Sequence, residues 1–235
     1  DTSAESTGDD TLETGANANG VLIPLMLPHA LASLAVAEWR QRRSAVIALV
    51  VQSALLAAII AAFAHVTGNT TLYWWMGVCV ATKVVLVPVL LLNYCKTLPE
   101  REPEPLLGRN ATVLVLAVGM LVLYWLVDRH GGIILPGIPG SMEQSAAAVA
   151  FAIISLGLFV ATVRRGTIKI ILGVVLIENG VHLTLLALAP AEITTTIVGV
   201  ASNIVVLIWL MLYLAAGVYE VVGTTDATEL AELKR

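Results

Sequence analysis

An acid and an imidazole lie one helical turn apart inside a hydrophobic run of this sequence. The run GVVLIENGVHLTLLALA, residues 173–189, carries Glu178 and His182, with Asn179 beside the acid. A spacing of four places both ionisable groups on one face of a helix. Ionisable groups within a membrane span are costly and are usually kept for function. The pattern favours proton exchange inside a membrane; the alternative is a purely structural buried hydrogen bond.

A lysine occupies the interior of another apolar run. Lys83 occurs in CVATKVVLVPVLLL, residues 79–92, and Pro88 follows five positions later. A lysine at the centre of a membrane helix costs roughly 2.5–3.5 kcal/mol on insertion scales, which favours a proton-carrying or charge-coupling role. Proline removes a backbone donor and frees the carbonyl of Val84, so a helix kink is predicted beside Lys83. The alternative is a structural lysine paired with a carboxylate.

Other polar side chains also fall within apolar runs: Gln52 and Ser53 in one, Ser202 and Asn203 in another. Their simplest role is hydrogen bonding between helices, and the other is to hydrate a proton path. Trp74 and Trp75 fall near the end of an apolar run, where tryptophan is typical of a membrane-interface anchor.

The composition indicates which elements must position these residues. Of the 235 residues, 58% are hydrophobic and 13% are charged, and the mean hydropathy is +0.88. A soluble domain carries about 25% charged residues, whereas apolar runs of ~18 or more residues are typical of membrane spans. We therefore predict an all-α, polytopic transmembrane bundle of about seven spans. The predicted spans are 21–38, 44–66, 72–93, 110–128, 143–163, 168–189 and 193–219.

Basic residues predict the orientation of the bundle. Lys and Arg cluster in alternate connections: Arg40, Arg42 and Arg43; Lys96, Arg101 and Arg109; Arg164, Arg165 and Lys169; Lys234 and Arg235. Short Lys/Arg-rich loops stay in the cytoplasm, so the N-terminus is predicted outside and the C-terminus inside. Arg129 is an exception to the pattern. The predicted organisation is an acidic disordered tail (1–20), a four-span segment (21–142), a three-span module (143–219) and a cytoplasmic tail (220–235).

Several chemistries find no support in the sequence. It contains no Gly-rich phosphate loop, no zinc-binding helix motif, no CxxC and no Ser/His/Asp set at one depth. Cys79 and Cys95 are not expected to form a disulfide or a metal site. We expect neither catalysis by this chain nor a metal in it.

Two stretches resemble the hydrogenase-4 component E family, membrane subunits of group 4 nickel–iron hydrogenases of the formate hydrogenlyase type. They are ATKVVLVPVLLLNYCKTLPEREPEPLLG and LGVVLIENGVHLTLLAL. The family signatures T-K-x-x-L-V-P and E-N-G-x-H are both present, and the residues that match them are Thr82, Lys83, Leu86, Val87, Pro88, Glu178, Asn179, Gly180 and His182. The resemblance covers roughly residues 30–219. Asn203 stands where a member of that family carries an aspartate, and an amide cannot hold a proton charge.

The last three predicted spans also resemble the K subunit of complex I and the C subunit of Mrp antiporters. The matching stretch is SLGLFVATVRRGTIKIILG, with its double arginine and closing glycine, Gly173. In the complex I subunit a key glutamate comes two residues after that glycine. Here Val175 holds that place and Glu178 follows one helical turn later.

These resemblances imply a subunit of a complex-I-like respiratory hydrogenase or related oxidoreductase in the cytoplasmic (inner) membrane. Nickel–iron and iron–sulfur centres would belong to partner subunits. The partners would be antiporter-like and complex I H-like membrane subunits and cytoplasmic hydrogenase subunits, with no nucleic acid. Glu178 would exchange the proton, Lys83 would act through its charge state, and His182 with the polar residues would hydrate the route.

Two alternatives stay open at the level of sequence. One is a self-standing cation/proton antiporter or Mrp-type antiporter subunit, which would usually bring internal repeats that are not evident here. The other is a structural membrane scaffold in which Lys83 and Glu178 are simply paired. The sequence is compatible with either protons or sodium ions.

Overall fold

The computed structural model describes residues 22, 24–96, 109–134, 141–164, 166–188 and 193–223, and they form seven helices with no strand among them. The helices are α1 (24–38), α2 (Arg42–Thr67), α3 (Thr71–Cys95), α4 (Arg109–Ile134), α5 (Ser141–Val163), α6 (Thr167–Leu188) and α7 (Ile193–Val222). The prediction of an all-α polytopic bundle is confirmed.

Within the described residues, five stretches are long and apolar enough to cross a membrane: Arg42–Thr67, Thr71–Cys95, Glu143–Val163, Thr167–Leu188 and Asn203–Val221. Helix α4 contributes the shorter apolar stretch Leu114–Val127, and the described part of α1 is also short. The predicted acidic tail, 1–20, lies outside the described residues, as does most of the tail 220–235. The boundary at residue 143 and the outward N-terminus stay predictions.

A tight connection joins α2 to α3. Helix α2 ends at Gly68, whose φ of 67° is the left-handed conformation that glycine adopts without steric cost. The side-chain oxygen of Asn69 then accepts a hydrogen bond from the Thr71 amide at 3.0 Å, which starts α3. The two helices consequently pack side by side, with Gln52 on one and Lys83 on the other facing the interior.

Helix α3 departs from α-helical geometry around its lysine. Residues Val80–Leu86 are π-helical, and the Val87 amide donates to the carbonyl of Thr82, five residues back. Pro88 follows at once and offers no amide hydrogen to the carbonyl of Val84. The distortion predicted at Pro88 thus takes the form of a π-helical segment, a feature that often marks functional sites. Lys83 lies inside it and is buried.

Helices α5 and α6 approach until their backbones touch. A Cβ atom on Gly157 would lie 2.6 Å from the carbonyl oxygen of Gly173, and one on Gly173 would lie 2.7 Å from the amide nitrogen of Ala161. A Cβ on Gly180 would lie 2.6 Å from Cγ1 of Ile154. Real Cβ contacts are not this short, so only glycine fits at these positions. The close approach fixes where α6 presents its polar residues.

Two basic residues hold the end of α1. Lys169 was predicted to lie in the connection before the sixth span, but it lies in the first turn of α6 and is 1% exposed. Its Nζ donates to the carbonyls of Val36 at 2.7 Å and Ala37 at 3.2 Å, which are carbonyls that the end of a helix leaves without intrahelical partners. Arg164 forms an ion pair with Glu38 at 2.6 Å. These contacts anchor α1 on the α5–α6 pair.

Substituting alanine at Gly173 should weaken the bundle, because the added methyl group would meet the α5 backbone. We expect a loss of about 1–3 kcal/mol in the free energy of unfolding, as for other overpacked sites. Gly119→Ala is the matched control, since a Cβ on Gly119 of α4 meets nothing within 4 Å. Thermal unfolding of the purified chain followed by circular dichroism measures both. Equal melting temperatures would contradict the described packing.

Candidate functional site

Lys83 is surrounded by acceptors from a single helix. Its Nζ lies 2.6 Å from Oε2 of Glu178, donates to Oδ1 of Asn179 at 2.6 Å, and also contacts Nδ1 of His182. An ammonium group has three hydrogens to donate and cannot accept. Three polar atoms of α6 thus face the ammonium, those of Asn179 and His182 through hydrogen bonds and Oε2 of Glu178 as an ion pair, and the side chain of Lys83 is 1% exposed. The sequence left open whether the third and sixth spans meet at these residues, and the structure shows that they do.

The polar face of α6 follows from its helical spacing. Residues 178, 179 and 182 fall on neighbouring positions of two successive turns. Asn179 is fully buried and His182 is 3% exposed, whereas the Glu178 side chain is 14% exposed. Glu178 is therefore the member of this set that lies nearest the outer surface of the chain.

His182 is held in one tautomer by its neighbours. Because Nδ1 faces the Lys83 ammonium, Nδ1 accepts and the ring hydrogen resides on Nε2. Nε2 lies 3.6 Å from Oε1 of Glu178, too far for a hydrogen bond. The ring of Trp75 packs edge-on against this imidazole, with centroids 5.4 Å apart. Trp75 was predicted to be an interface anchor, but it is 3% exposed and forms one wall of the site; its neighbour Trp74 is 79% exposed.

A pair of side-chain amides extends the site to α2. Nδ2 of Asn179 donates to Oε1 of Gln52 at 2.6 Å and approaches Oγ of Ser53 at 3.4 Å. Gln52 and Ser53 are both fully buried. Both predicted supporting residues of α2 thus contact α6 directly, and Asn179 links them to Lys83.

The polar chain continues to α1 through a histidine that the sequence analysis did not single out. Nδ1 of His29 lies 3.0 Å from the carbonyl oxygen of Gln52, and Nε2 of His29 lies 3.4 Å from Nε2 of the Gln52 side chain. Ser33 donates to the carbonyl of His29 at 2.8 Å, and both residues are fully buried. The available sequence signal was the pair His29 and Ser33, four residues apart in an otherwise apolar segment.

Asn203, one of the two predicted polar residues of α7, does not join this chain of described contacts. Asn203 is exposed, and none of the hydrogen bonds described for the chain links it to Lys83 or Glu178. The side chain of Ser202 lies outside the described residues. Within the described parts of the chain, no group of three His, Cys, Asp or Glu residues could hold a metal ion.

The arrangement can hold one proton in either of two places. Glu178 and Lys83 carry opposite charges as an ion pair, and moving a proton from Nζ to Oε2 across 2.6 Å leaves both groups neutral. Neither form places a net charge in the buried site, which matters because an unpaired buried charge is strongly unfavourable. Removing one partner alone would create such a charge.

Replacing one partner of the ion pair should therefore destabilise the folded chain more than replacing both partners. We expect Lys83→Met to lower the free energy of unfolding by about 3–5 kcal/mol, because the Glu178 carboxylate loses its partner. The double variant Lys83→Met with Glu178→Leu should recover most of that loss. Unfolding of the purified chain in detergent measures both, and Lys96→Met, at an exposed lysine, is the control. Additive effects of the two substitutions would contradict the pairing.

Comparisons with known proteins agree with the signatures around these residues. The chain is 30% identical over 183 residues to hydrogenase-4 component E of Escherichia coli strain K12, which covers 78% of this chain and 83% of that protein. The Shigella flexneri protein of that name gives the same values. An uncharacterized protein of Mycobacterium tuberculosis, Rv0085, is 22% identical over 199 residues, 83% of this chain and 88% of its own length.

No family model matches the sequence, and no solved structure matches it. The curated relatives nevertheless align with most of the chain, over a length that must include most of the described helices. The chain belongs to the hydrogenase-4 component E family.

Proposed function

We propose that this chain is a membrane subunit of a hydrogenase-type oxidoreductase complex in the cytoplasmic membrane, with no redox chemistry of its own. Two observations support this. Its relatives at 30% identity are named as a component of hydrogenase-4, and five of its helices are long and apolar enough to cross a membrane. Nickel–iron and iron–sulfur centres would reside on partner subunits. The Lys83 site would act together with those subunits and would not bind a metal itself.

Within that complex, the Lys83–Glu178 pair carries a step of proton translocation. The observation that supports this most directly is the 2.6 Å contact between Nζ and Oε2 in a buried setting. A carboxylate and an amine at that distance exchange a proton without creating net charge. Asn179 fixes the lysine, and His182 offers a second proton-accepting atom on the same face.

In this proposed step, the proton leaves the site at Glu178. Its side chain is 14% exposed and Val181 on the following turn of α6 is 38% exposed, so this stretch of α6 reaches the outer surface of the bundle, although both carboxylate oxygens of Glu178 are buried. A carboxylate facing lipid is costly. We propose that a neighbouring membrane subunit, of the antiporter-like or complex I H-like type, covers this stretch of α6 and receives the proton.

A structural scaffold is the second candidate, because the same contacts give the buried lysine an ion-pair partner and two hydrogen-bonding partners. In a scaffold, the pair would contribute only to folding. The double variant Lys83→Met with Glu178→Leu separates the two functions, because a scaffold would keep proton translocation coupled to turnover. Proton translocation predicts that this double variant folds and assembles but loses coupling.

Membership of a hydrogenase-type complex is testable by purification. We expect an affinity-tagged full-length chain, extracted from its native membrane in mild detergent, to bring with it a nickel–iron subunit and large antiporter-like subunits. Mass spectrometry identifies the proteins, and metal analysis detects nickel and iron. Recovery of the chain alone or only with unrelated proteins, under conditions that keep other respiratory complexes intact, would contradict the proposal.

Replacing the carboxylate by an amide should uncouple the complex. We expect Glu178→Gln to lower proton translocation per turnover by about tenfold or more, as removal of a group that transfers a proton does. Oxidation of hydrogen with an artificial acceptor should stay near the level of the parent complex. Proton uptake by inverted membrane vesicles, followed with a pH-sensitive dye, measures the first quantity.

The matched control is Glu220→Gln, which removes a carboxylate from an exposed position of α7. It should leave both activities unchanged. Full proton translocation in the Glu178→Gln complex would exclude Glu178 from the path.

A further inference from the structure

In each side-chain hydrogen bond between Lys83 and His29, the donor is the group on the Lys83 side. Lys83 can only donate, so Asn179 must present Oδ1 to it and Nδ2 to Gln52. Gln52 therefore presents Oε1 to Asn179 and Nε2 to His29. An amide nitrogen only donates, so Nε2 of His29 accepts, and Nδ1 carries the ring hydrogen that bonds to the Gln52 carbonyl. The tautomer of His29 is thus set from Lys83, through two amides.

A second arrangement satisfies the same atoms with both side-chain amides turned over, while Nδ1 of His29 still donates to the Gln52 carbonyl. If Nε2 of His29 carried a hydrogen, Gln52 would have to turn Oε1 toward it and Nε2 toward Asn179. Asn179 would then present Oδ1 to Gln52 and Nδ2 to Lys83, which could accept only as a neutral amine. The hydroxyl of Ser53, 3.4 Å from Nδ2 of Asn179, can accept in the first arrangement and donate in the second.

We propose that His29 is a second proton-binding site and that His29 and Lys83 cannot both be protonated. The reason is that the Asn179–Gln52 amide pair can accept a hydrogen bond from only one of these two groups at a time. The inference deepens the proposed proton translocation and rests on it for its biological meaning. The ionisable groups that face His29 through or beside this pair are Lys83 of α3 and Glu178 and His182 of α6; α2 presents Gln52 and Ser53.

The proton balance of one exchange is simple. The hydrogen that leaves Nζ of Lys83 goes to Oε2 of Glu178, 2.6 Å away, and leaves a neutral amine. His29 takes one proton from water on Nε2, and the two amides reverse. When Glu178 then releases its proton to the subunit that covers α6, the positive charge has moved from Lys83 to His29, and the site has taken up one proton at α1 and released one at α6. Its net charge is unchanged.

Nitrogen NMR of the histidine rings tests the coupling, because the shifts of ring nitrogens distinguish the two tautomers and the imidazolium. The sample is the full-length chain in lipid nanodiscs with labelled histidine. His65→Gln and His130→Gln remove the two exposed histidines, and a further His29→Gln sample assigns the signal. With Lys83 present, His29 should be neutral with its hydrogen on Nδ1. In Lys83→Met, the imidazolium fraction at mildly acidic pH should rise by about tenfold, since one hydrogen bond to the amide pair no longer opposes it.

A double-mutant cycle with Gln52→Leu distinguishes the effect of the amide pair from simple charge repulsion between Lys83 and His29. Loss of the Lys83 charge alone would raise the imidazolium fraction equally with or without Gln52, whereas the amide mechanism requires Gln52 as the acceptor. We expect the rise to disappear in the double variant. An equal rise, or no rise in Lys83→Met, would overturn the proposal.

The controls keep this result separate from the proposed function. Asn179→Leu interrupts the pair one residue nearer Lys83 and replaces Gln52→Leu if that variant does not fold. Lys96→Met, at an exposed lysine, should leave the His29 signal unchanged. If Glu178→Gln abolishes proton translocation but His29 does not respond to Lys83→Met, the proposed function stands and this inference fails. If His29 responds to Lys83→Met but the Glu178→Gln complex pumps normally, the coupling stands and the proposed function fails.

Discussion

The structure depends on the enclosure of one ammonium group. A lysine within hydrocarbon needs polar partners, and α6 supplies an ion-pair partner in Glu178 and two hydrogen-bonding partners in Asn179 and His182. Those side chains can converge on Lys83 only if α6 is held at a fixed rotation, and the backbone contacts at Gly157, Gly173 and Gly180 provide that constraint. The small residues of α5 and α6 are therefore part of the polar site, although none of them carries a polar side chain.

Departures from regular structure concentrate around the same group. The π-helical segment Val80–Leu86 surrounds Lys83, Pro88 lies just beyond it, and the buried amides of Asn179 and Gln52 lie on the facing helices. Sequences usually agree with their fold at every level and violate local rules where function requires it. Here a distorted helix, a buried charge and a buried amide pair coincide, which is why the proposed function is assigned to this layer of the bundle and not to its apolar faces.

The sequence predicted the elements and most members of the site, because polar residues in apolar runs are conspicuous. Lys83, Glu178, Asn179 and Gln52 were each identified in this way. Their contacts could not be predicted, since hydropathy assigns residues to spans but gives neither the rotation of a helix nor its neighbours. Lys169 was misplaced for a related reason: a lysine near a helix end resembles a loop residue until the carbonyls of α1 that it contacts are known.

Polar contacts hold the described part of helix α1 in place. Its described part is short, yet it is fixed at two levels, by His29 against Gln52 in the middle and by Lys169 and Arg164 at its end. The first contact places a fully buried imidazole at one end of the polar chain, and Glu178, whose side chain is 14% exposed, lies at the other end. A chain of hydrogen bonds with one ionisable group at each end and only neutral amides between them can pass on a change of protonation only by reversing those amides. In the proposed path from α1 to α6, the controlling residues are therefore Asn179 and Gln52, two residues that never carry charge.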